Sequence, residues 1–405
     1  MIRARTTLLG VMSLVLSLYP SRVAADETEI PAFARKYRVS CNMCHNPVPR
    51  MTEFGNTFAA NGFRFSPVEQ PRDTIDTGDE LLQLVDNLPL AIRADIYAQA
   101  ITNGDVGSDW KTPYNIKLMS GGPISDKFSY YLYFFLFERG KIGGLEDAYV
   151  HYNDIAGAPV DVMVGQFQVS DPMFKRELRL SFNDYVIYRT EVGLQPADLT
   201  YDRGIMVPAN VAGWTITGQV INGNGKGEEV EDLQLDNNYA KNFMGHVTGD
   251  IAPWFRFGAM GYYGRERGSV SGGPEVTNHL WMLGADATFS IGSFEINAQY
   301  IHREDDFPTF NPTDEVAKTN GGFAEVIWMP KPDSRWYALA LYNRIDCNQP
   351  LLNVRLGVPT DLERYQTITG GLGWVWQRNI RLMGEATWDT EREVARWTVG
   401  LVTAF

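Results

Sequence analysis

The chain has 405 residues, 44% hydrophobic, 12% aromatic and 21% charged, with a formal charge of −13 and a mean hydropathy of −0.23. It contains no apolar run of about 18 or more residues, which excludes a helical membrane bundle, and its acidic balance argues against a partner gripped through nucleic-acid phosphates. The hydrophobic and aromatic content is too high for a disordered chain, and 38 Gly, 19 Tyr and 10 Trp at moderate hydropathy suit sheets with alternating faces.

Residues 1–25 read as an export signal. Arg3 and Arg5 form a basic start, Leu8 to Tyr19 an apolar stretch, and Val23-Ala24-Ala25 a small-residue cleavage site. The apolar stretch is too short to span a bilayer. Its removal, with Arg22, takes the charge to about −16.

Three cysteines remain, at 41, 44 and 347, too few and odd for an exported disulfide scaffold. Cys41-Asn42-Met43-Cys44-His45 is the attachment motif of c-type haem. Each thiolate adds to a haem vinyl group, and the adjacent His45 then lies under the iron as proximal ligand. A redox CxxC calls for a surrounding βαβ pattern and zinc calls for more ligands nearby; neither is present. One covalent haem c is therefore expected.

Residues 26–65 carry that motif in a compact helical pattern, with Met51, Phe54 and Phe58 recurring at spacings of three and four and Gly62 as a stop. Some 35 residues cannot enclose a haem unaided. Residues 66–87 form a Pro- and acid-rich linker, with a short helix expected at 79–87.

From residue 88 to 405 the period is two. The segments 88–101, 112–120, 126–138, 144–153, 159–168, 201–209, 212–222, 238–251, 254–266, 277–290, 292–304, 319–329, 335–346, 363–377, 379–390 and 393–405 read as strands, most of them long enough to cross a membrane at a barrel tilt. Short turns such as Gly121-Gly122-Pro123, Ala252-Pro253 and Lys331-Pro332-Asp333 alternate with longer connectors, including 169–200, 223–237, 305–318 and 347–362. That alternation fits a barrel with turns on one membrane side and loops on the other. Trp397, Val399, Leu401 and the terminal Phe405 share one face, resembling the assembly signal of outer-membrane barrels, while Tyr262, Tyr263, Trp281, Trp328 and Trp336 stand near strand ends as girdle residues. The expected fold is mainly β: a 16-stranded antiparallel outer-membrane β-barrel with a small N-terminal α-helical monohaem segment inserted in the lumen. Such a barrel is wide enough for an aqueous channel unless filled, and the haem segment needs walls.

The run PAFARKY, then CNMCH, then Phe54-Gly55 and Gly62-Phe63, followed by LPLAIRAD at 88–95, resembles the outer-membrane monohaem cytochrome–porin fusions of iron(II)-oxidising bacteria. The resemblance implies haem attachment at Cys41 and Cys44, axial ligation by His45, and electron passage from extracellular Fe(II) or another reductant to a periplasmic cytochrome or other acceptor. It implies a redox conduit set among outer-membrane lipid rather than a hydrolytic or transfer enzyme, and no nucleophile motif or histidine pair at zinc spacing argues otherwise.

Spacing leaves the distal ligand open among Met51, His246 on the eighth strand, where Asn242, Met244, His246 and Thr248 face inward, and His151. His279 and His302 fall near the loop rim. Asp105, Asp109, Glu228, Glu229, Glu231, Asp232, Glu304, Asp305 and Asp306 make acidic loops able to gather cations. Segment 169–200, with Lys175, Arg176, Arg179 and Arg189, resembles an inward-folding porin constriction loop, and Cys347 falls in an outer loop without a partner. A solute porin, anion-selective through those bases and gated by its haem segment, is the competing reading; a soluble periplasmic cytochrome with a β-domain is a third.

Overall fold

In the computed structural model, described for residues 32–405 apart from 73, 103–106, 237, 271 and 356–359, sixteen strands close into one antiparallel barrel. They are β1 Leu90–Thr102, β2 Ser108–Pro123, β3 Phe128–Glu138, β4 Leu145–Tyr152, β5 Val162–Gln168, β6 Tyr201–Val211, β7 Trp214–Ile221, β8 Asn242–Ala252, β9 Phe255–Gly268, β10 Val276–Ile291, β11 Phe294–Asp305, β12 Ala317–Trp328, β13 Trp336–Cys347, β14 Arg364–Gln377, β15 Ile380–Asp389 and β16 Val394–Ala404. Consecutive strands pair throughout, and β16 returns to β1 with Ala404 opposite Arg93 and Ala395 opposite Thr102. Phe405 completes the seam: its backbone exchanges two hydrogen bonds with Ile92, at 2.7 and 2.8 Å. The signal segment and Asp105 lie outside the described residues.

Alternation decides which face meets what. Along β8, Asn242, Met244 and His246 are buried inside while Phe243 and Val247 stand exposed. Exposed Ile205, Ile216, Leu283, Ile368, Leu372 and Val399 form an outer apolar band. At the turn end it is bordered by exposed Trp254, Phe294, Trp328, Trp336 and Phe405, and toward the loop end by Trp110, Tyr263, Trp388 and Trp397. An apolar band between two aromatic rings is the surface that barrels present to lipid.

Three expectations change. Tyr262 is no girdle residue: strand neighbours point to opposite faces, so with Tyr263 outside, Tyr262 is buried in the lumen, where Asn242 donates to its hydroxyl. Trp281 keeps the outer face beside Tyr263, half-buried against the His302 ring. The helix expected at 79–87 is absent; Thr74 pairs with Val85 and Ile75 with Leu84 in a small ribbon. Those residues are mostly exposed and have no packed face to reward a helix. Cys347 ends β13, buried in the lumen core as a free thiol rather than standing in an outer loop.

The connector 169–200 folds into the barrel as expected. Its backbone finds partners on the inward faces of distant strands: Val186 N donates to Asn343, and Phe182 N and Asn183 N donate to Glu385. Tyr185 donates to Glu325 and Tyr188 to Gln299, both at 2.8 Å. On the opposite wall Lys117 and Tyr133 hold Glu177 at 2.5 and 2.9 Å. The connector thus crosses the lumen. Its apolar residues pack against Met244, Met260, Met282, Phe323 and Leu341 on one side, leaving a polar passage along β1–β6.

Candidate functional site

The segment before the barrel consists of α1 Ala32–Tyr37, α2 Cys41–Cys44 and α3 Glu53–Ala60. Thr52 caps α3 by accepting from Gly55 N, the side-chain-to-backbone bond that satisfies a free helix donor. Thr52 also joins α3 to the motif: its amide donates to Cys44 O and its hydroxyl to Met43 O, both at 2.8 Å. Gly55 is required here, because a Cβ on it would stand 2.3 Å from Cys44 O. After α3 the chain turns through Gly62, at φ +65°, where a Cβ would meet Asn153 Oδ1 and Ser129 Oγ of the barrel wall at 2.7 Å. The Phe54-Gly55 and Gly62-Phe63 pairs therefore mark two close approaches, one within the segment and one to the barrel.

An aromatic cluster replaces a conventional core. Phe33 stacks on Phe63 with ring centroids 4.9 Å apart, Tyr37 and Phe58 meet edge to face at 5.2 Å, and Tyr131 of β3 stacks on Phe63 at 5.8 Å. Such pairs add about 0.5–1.5 kcal/mol each beyond their buried area.

The segment sits in the turn-side mouth of the barrel. Arg35 donates to Leu90 O at 2.7 Å, Arg64 to Asp126 O at 2.6 Å, Asn153 to Ala60 O at 3.1 Å and Asn46 to Pro332 O at 2.6 Å. Arg50 pairs with Glu295. These anchors lie around the rim from β1 to β13.

Between segment and wall lies a cavity of about 280 Å³. Cys41, Cys44, His45 and Met51 line it from below, with Phe33, Phe58, Phe63, Met119 and Tyr131 as apolar walls. Arg93, Lys117 and Lys175 line it farther in, alongside Asp147, Asp171 and Glu177, with Lys117 paired to Glu177 and Lys175 to Asp171. Both thiols are free and half-buried, and burial pushes both up from their ordinary value, Cys44 also through its neighbour Cys41. The His45 Nδ1 lies 3.0 Å from Pro49 O; a carbonyl only accepts, so Nδ1 carries the proton and Nε2 keeps its lone pair. Burial holds the imidazole below its usual value, keeping it in the neutral form that ligates metal. Two adjacent free thiols, a tautomer fixed for Nε2 ligation, an apolar slot and cations at its inner end fit a haem c: vinyl groups for the thiols, a planar ring for the slot, carboxylates for the cations.

The three distal candidates are not alike. Met51 lines the cavity and forms an antiparallel bridge with His45. The bridge sets the two residues side by side on the cavity lining. His246 lies on β8 and meets Asp286 at 2.8 Å, outside the cavity lining. His151 is buried on β4 between Asn153 at 3.2 Å and Asp161 at 3.3 Å, also outside it. His279 touches the Tyr263 hydroxyl and His302 touches Asn320 and Glu304, as rim residues would.

The acidic loops are less free than their sequence suggests. Lys111 neutralises Asp109, and Lys318 and His302 meet Glu304. Asp305 is fully buried against Arg303 because the last residue of β11 still points inward. What sequence reasoning missed is the inner end of the cavity, Arg93 and Lys117. Both sit at inward positions of amphipathic strands, and a charge there is the signal that would have found them.

No protein-family model matches the sequence, nor does any curated protein. Among solved structures, the chain is similar to an anion-selective porin from Comamonas acidovorans at TM-score 0.55 and 11% identity, over 79% of this chain and 99% of that one. It is similar to the outer membrane protein OmpT of Vibrio cholerae at TM-score 0.54 and 10% identity, with 79% and 99% covered. The outer membrane channel DcaP of Acinetobacter baumannii gives TM-score 0.53 at 12% identity, with 79% and 97% covered. These likenesses establish the fold as that of outer-membrane porins.

Proposed function

We propose that the protein is an outer-membrane electron conduit: a porin-type barrel holding one haem c in its periplasmic mouth and passing electrons inward from an extracellular donor, Fe(II), to a periplasmic carrier. The observation that carries this reading is the shared cavity, in which the Cys41, Cys44 and His45 trio faces barrel side chains that complete its walls. The resemblance of residues 31–95 to the cytochrome–porin fusions supports Fe(II) as donor.

Bound there, a haem c supplies a one-electron redox couple. Cys41 and Cys44 would anchor it by thioether bonds and His45 Nε2 would ligate its iron, with Pro49 O holding the imidazole in orientation. Phe33, Phe58, Phe63 and Tyr131 give the cavity apolar walls that would exclude water from a bound haem. Arg93, Lys117 and Lys175 offer counter-charge where carboxylates would end. The rim anchors seat the segment across the mouth, which separates electron passage from solute passage.

One observation favours a second reading, a solute porin whose haem segment governs opening. The polar passage past the inward connector is lined by arginines, as an anion-conducting lumen would be. Liposomes distinguish the two. With an oxidised soluble cytochrome c enclosed, external Fe(II) reduces it without leakage of small ions if the conduit reading holds; leakage without reduction would replace it with the porin reading.

A further inference from the structure

Beyond the haem cavity, toward the loop end, the lumen continues into a second, smaller chamber of about 190 Å³ that shares Arg93, Lys117, Glu177 and Tyr201 with the first. Its lining carries nine cationic side chains against five acidic ones, inside a chain whose formal charge is −13. The excess has a definite origin. Arg176, Arg179 and Arg189 converge on one carboxylate, Asp184, at 2.5, 3.6 and 4.0 Å. Arg176 holds Asp184 through two nitrogens and Arg179 is bound to the carbonyls of Asn183 and Arg176. Arg189 is the least satisfied of the three: it is 6% exposed, Nη2 donates to Arg355 O at 3.5 Å, and Nε and Nη1 have no hydrogen-bond partner, Asp184 standing 4.0 Å from Nη1. Arg381 on β15, 3% exposed, spends Nη1 on Leu180 O and Tyr337 but leaves Nε unpartnered.

A buried donor without a partner destabilises a fold, and more so when it is charged. A fold that keeps two such guanidiniums on one chamber wall, with a cation excess around them, is stabilised by a ligand that accepts several hydrogen bonds and carries negative charge. We propose that this chamber binds a small oxyanion of the phosphate or carboxylate class, with Arg189 as the anchor and Arg381 and Arg179 around it. Planar guanidinium forks match the paired oxygens of such anions. The loop mouth admits it, since Arg139 at the end of β3 and Lys226 of the 222–241 connector line the same chamber. The site follows from the lumen alone and holds whether the barrel conducts electrons or solutes.

Inorganic phosphate is the probe, titrated calorimetrically into the detergent-solubilised full protein at constant ionic strength, with chloride as the matched control. The expected result is saturable phosphate binding, at least tenfold weaker in Arg189→Gln and intermediate in Arg189→Lys, which keeps the charge but loses the fork. Heat-modifiable migration on gels checks that each variant is a closed barrel. Absence of saturable binding by the unaltered protein overturns the proposal, and so does equal binding by a folded Arg189→Gln chain. The unaltered protein is read first, so a variant that fails to fold does not remove the test.

Discussion

Replacing Gly55 by Ala tests how tightly α3 is set on the haem motif. In an ordinary helix interior the change would stabilise by about 0.5–1 kcal/mol, since Gly loses more freedom on folding. Here the added Cβ stands 2.3 Å from the Cys44 carbonyl oxygen, while carbon–oxygen contacts settle near 3.3 Å or more. The helix must move by roughly 1 Å, and overpacking of this kind costs about 1–3 kcal/mol. The Met51 Cε, 2.9 Å away, is a flexible tip and can swing aside, but Cys44 O is backbone and cannot. The clash therefore outweighs the propensity, with a net loss on the order of 1–2 kcal/mol. The same carbonyl accepts the Thr52 amide at 2.8 Å, so that bond is the reporter. Hydrogen-exchange mass spectrometry should show residues 41–60 exchanging about tenfold faster, as 1.4 kcal/mol implies, with barrel peptides unchanged. Unchanged or slower exchange in that peptide would refute the close-approach argument.

Deleting Phe405 removes the two backbone bonds to Ile92 that finish the β16–β1 seam, a loss of about 1–3 kcal/mol at roughly 0.5–1.5 kcal/mol per bond; the heat-modifiable fraction recovered from membranes should fall, and an unchanged yield would count against the seam. Asp184→Asn strips the shared carboxylate from the buried Arg176 and Arg189 and the half-buried Arg179, so the melting temperature should drop by an amount matching about 3–5 kcal/mol, measured by calorimetry in detergent. Burial alone would raise the Asp184 carboxyl, but Arg176, Arg179 and Arg189 outweigh it and hold it well below the usual carboxylate range. A depressed carboxylate contributes stability above its unfolded value of about 3.9 and loses it as pH falls toward the folded value. The difference in melting temperature between the unaltered protein and Asp184→Asn should thus be constant from pH 8 to pH 5 and shrink only below about pH 4. Arg50→Ala removes the pair with Glu295 at the rim, and small-ion leakage through liposomes should rise with little change in melting temperature.

Most of the barrel was legible because strands between lipid and lumen must alternate, and alternation is visible residue by residue: His246 inward and Val247 outward follow from parity alone. The Cys41–His45 motif was legible as a spacing, and the fold sets its two thiols and its imidazole on one cavity. Tyr262 and Asp305 were misplaced where parity was not carried through to the strand end. The ribbon at 74–85 was obscure because exposed residues carry no burial pattern to read. The seat of the haem segment depends on Arg35, Arg50, Arg64 and Asn153 meeting turns up to 286 residues away in sequence, as Asn46 meets Pro332, and no local pattern reports such pairings. Arg189 looked like any loop base, and only the sharing of Asp184 by three arginines singles it out.

The central claim is that a donor outside the cell reaches one haem held by Cys41, Cys44 and His45 in the barrel mouth. Anaerobic Fe(II) added to intact cells producing the protein tests it directly. The account predicts rapid appearance of the reduced c-type absorption band, absent from cells carrying Cys44→Ala at equal barrel content. A band that appears only with a membrane-permeant reductant, or not at all, would contradict it.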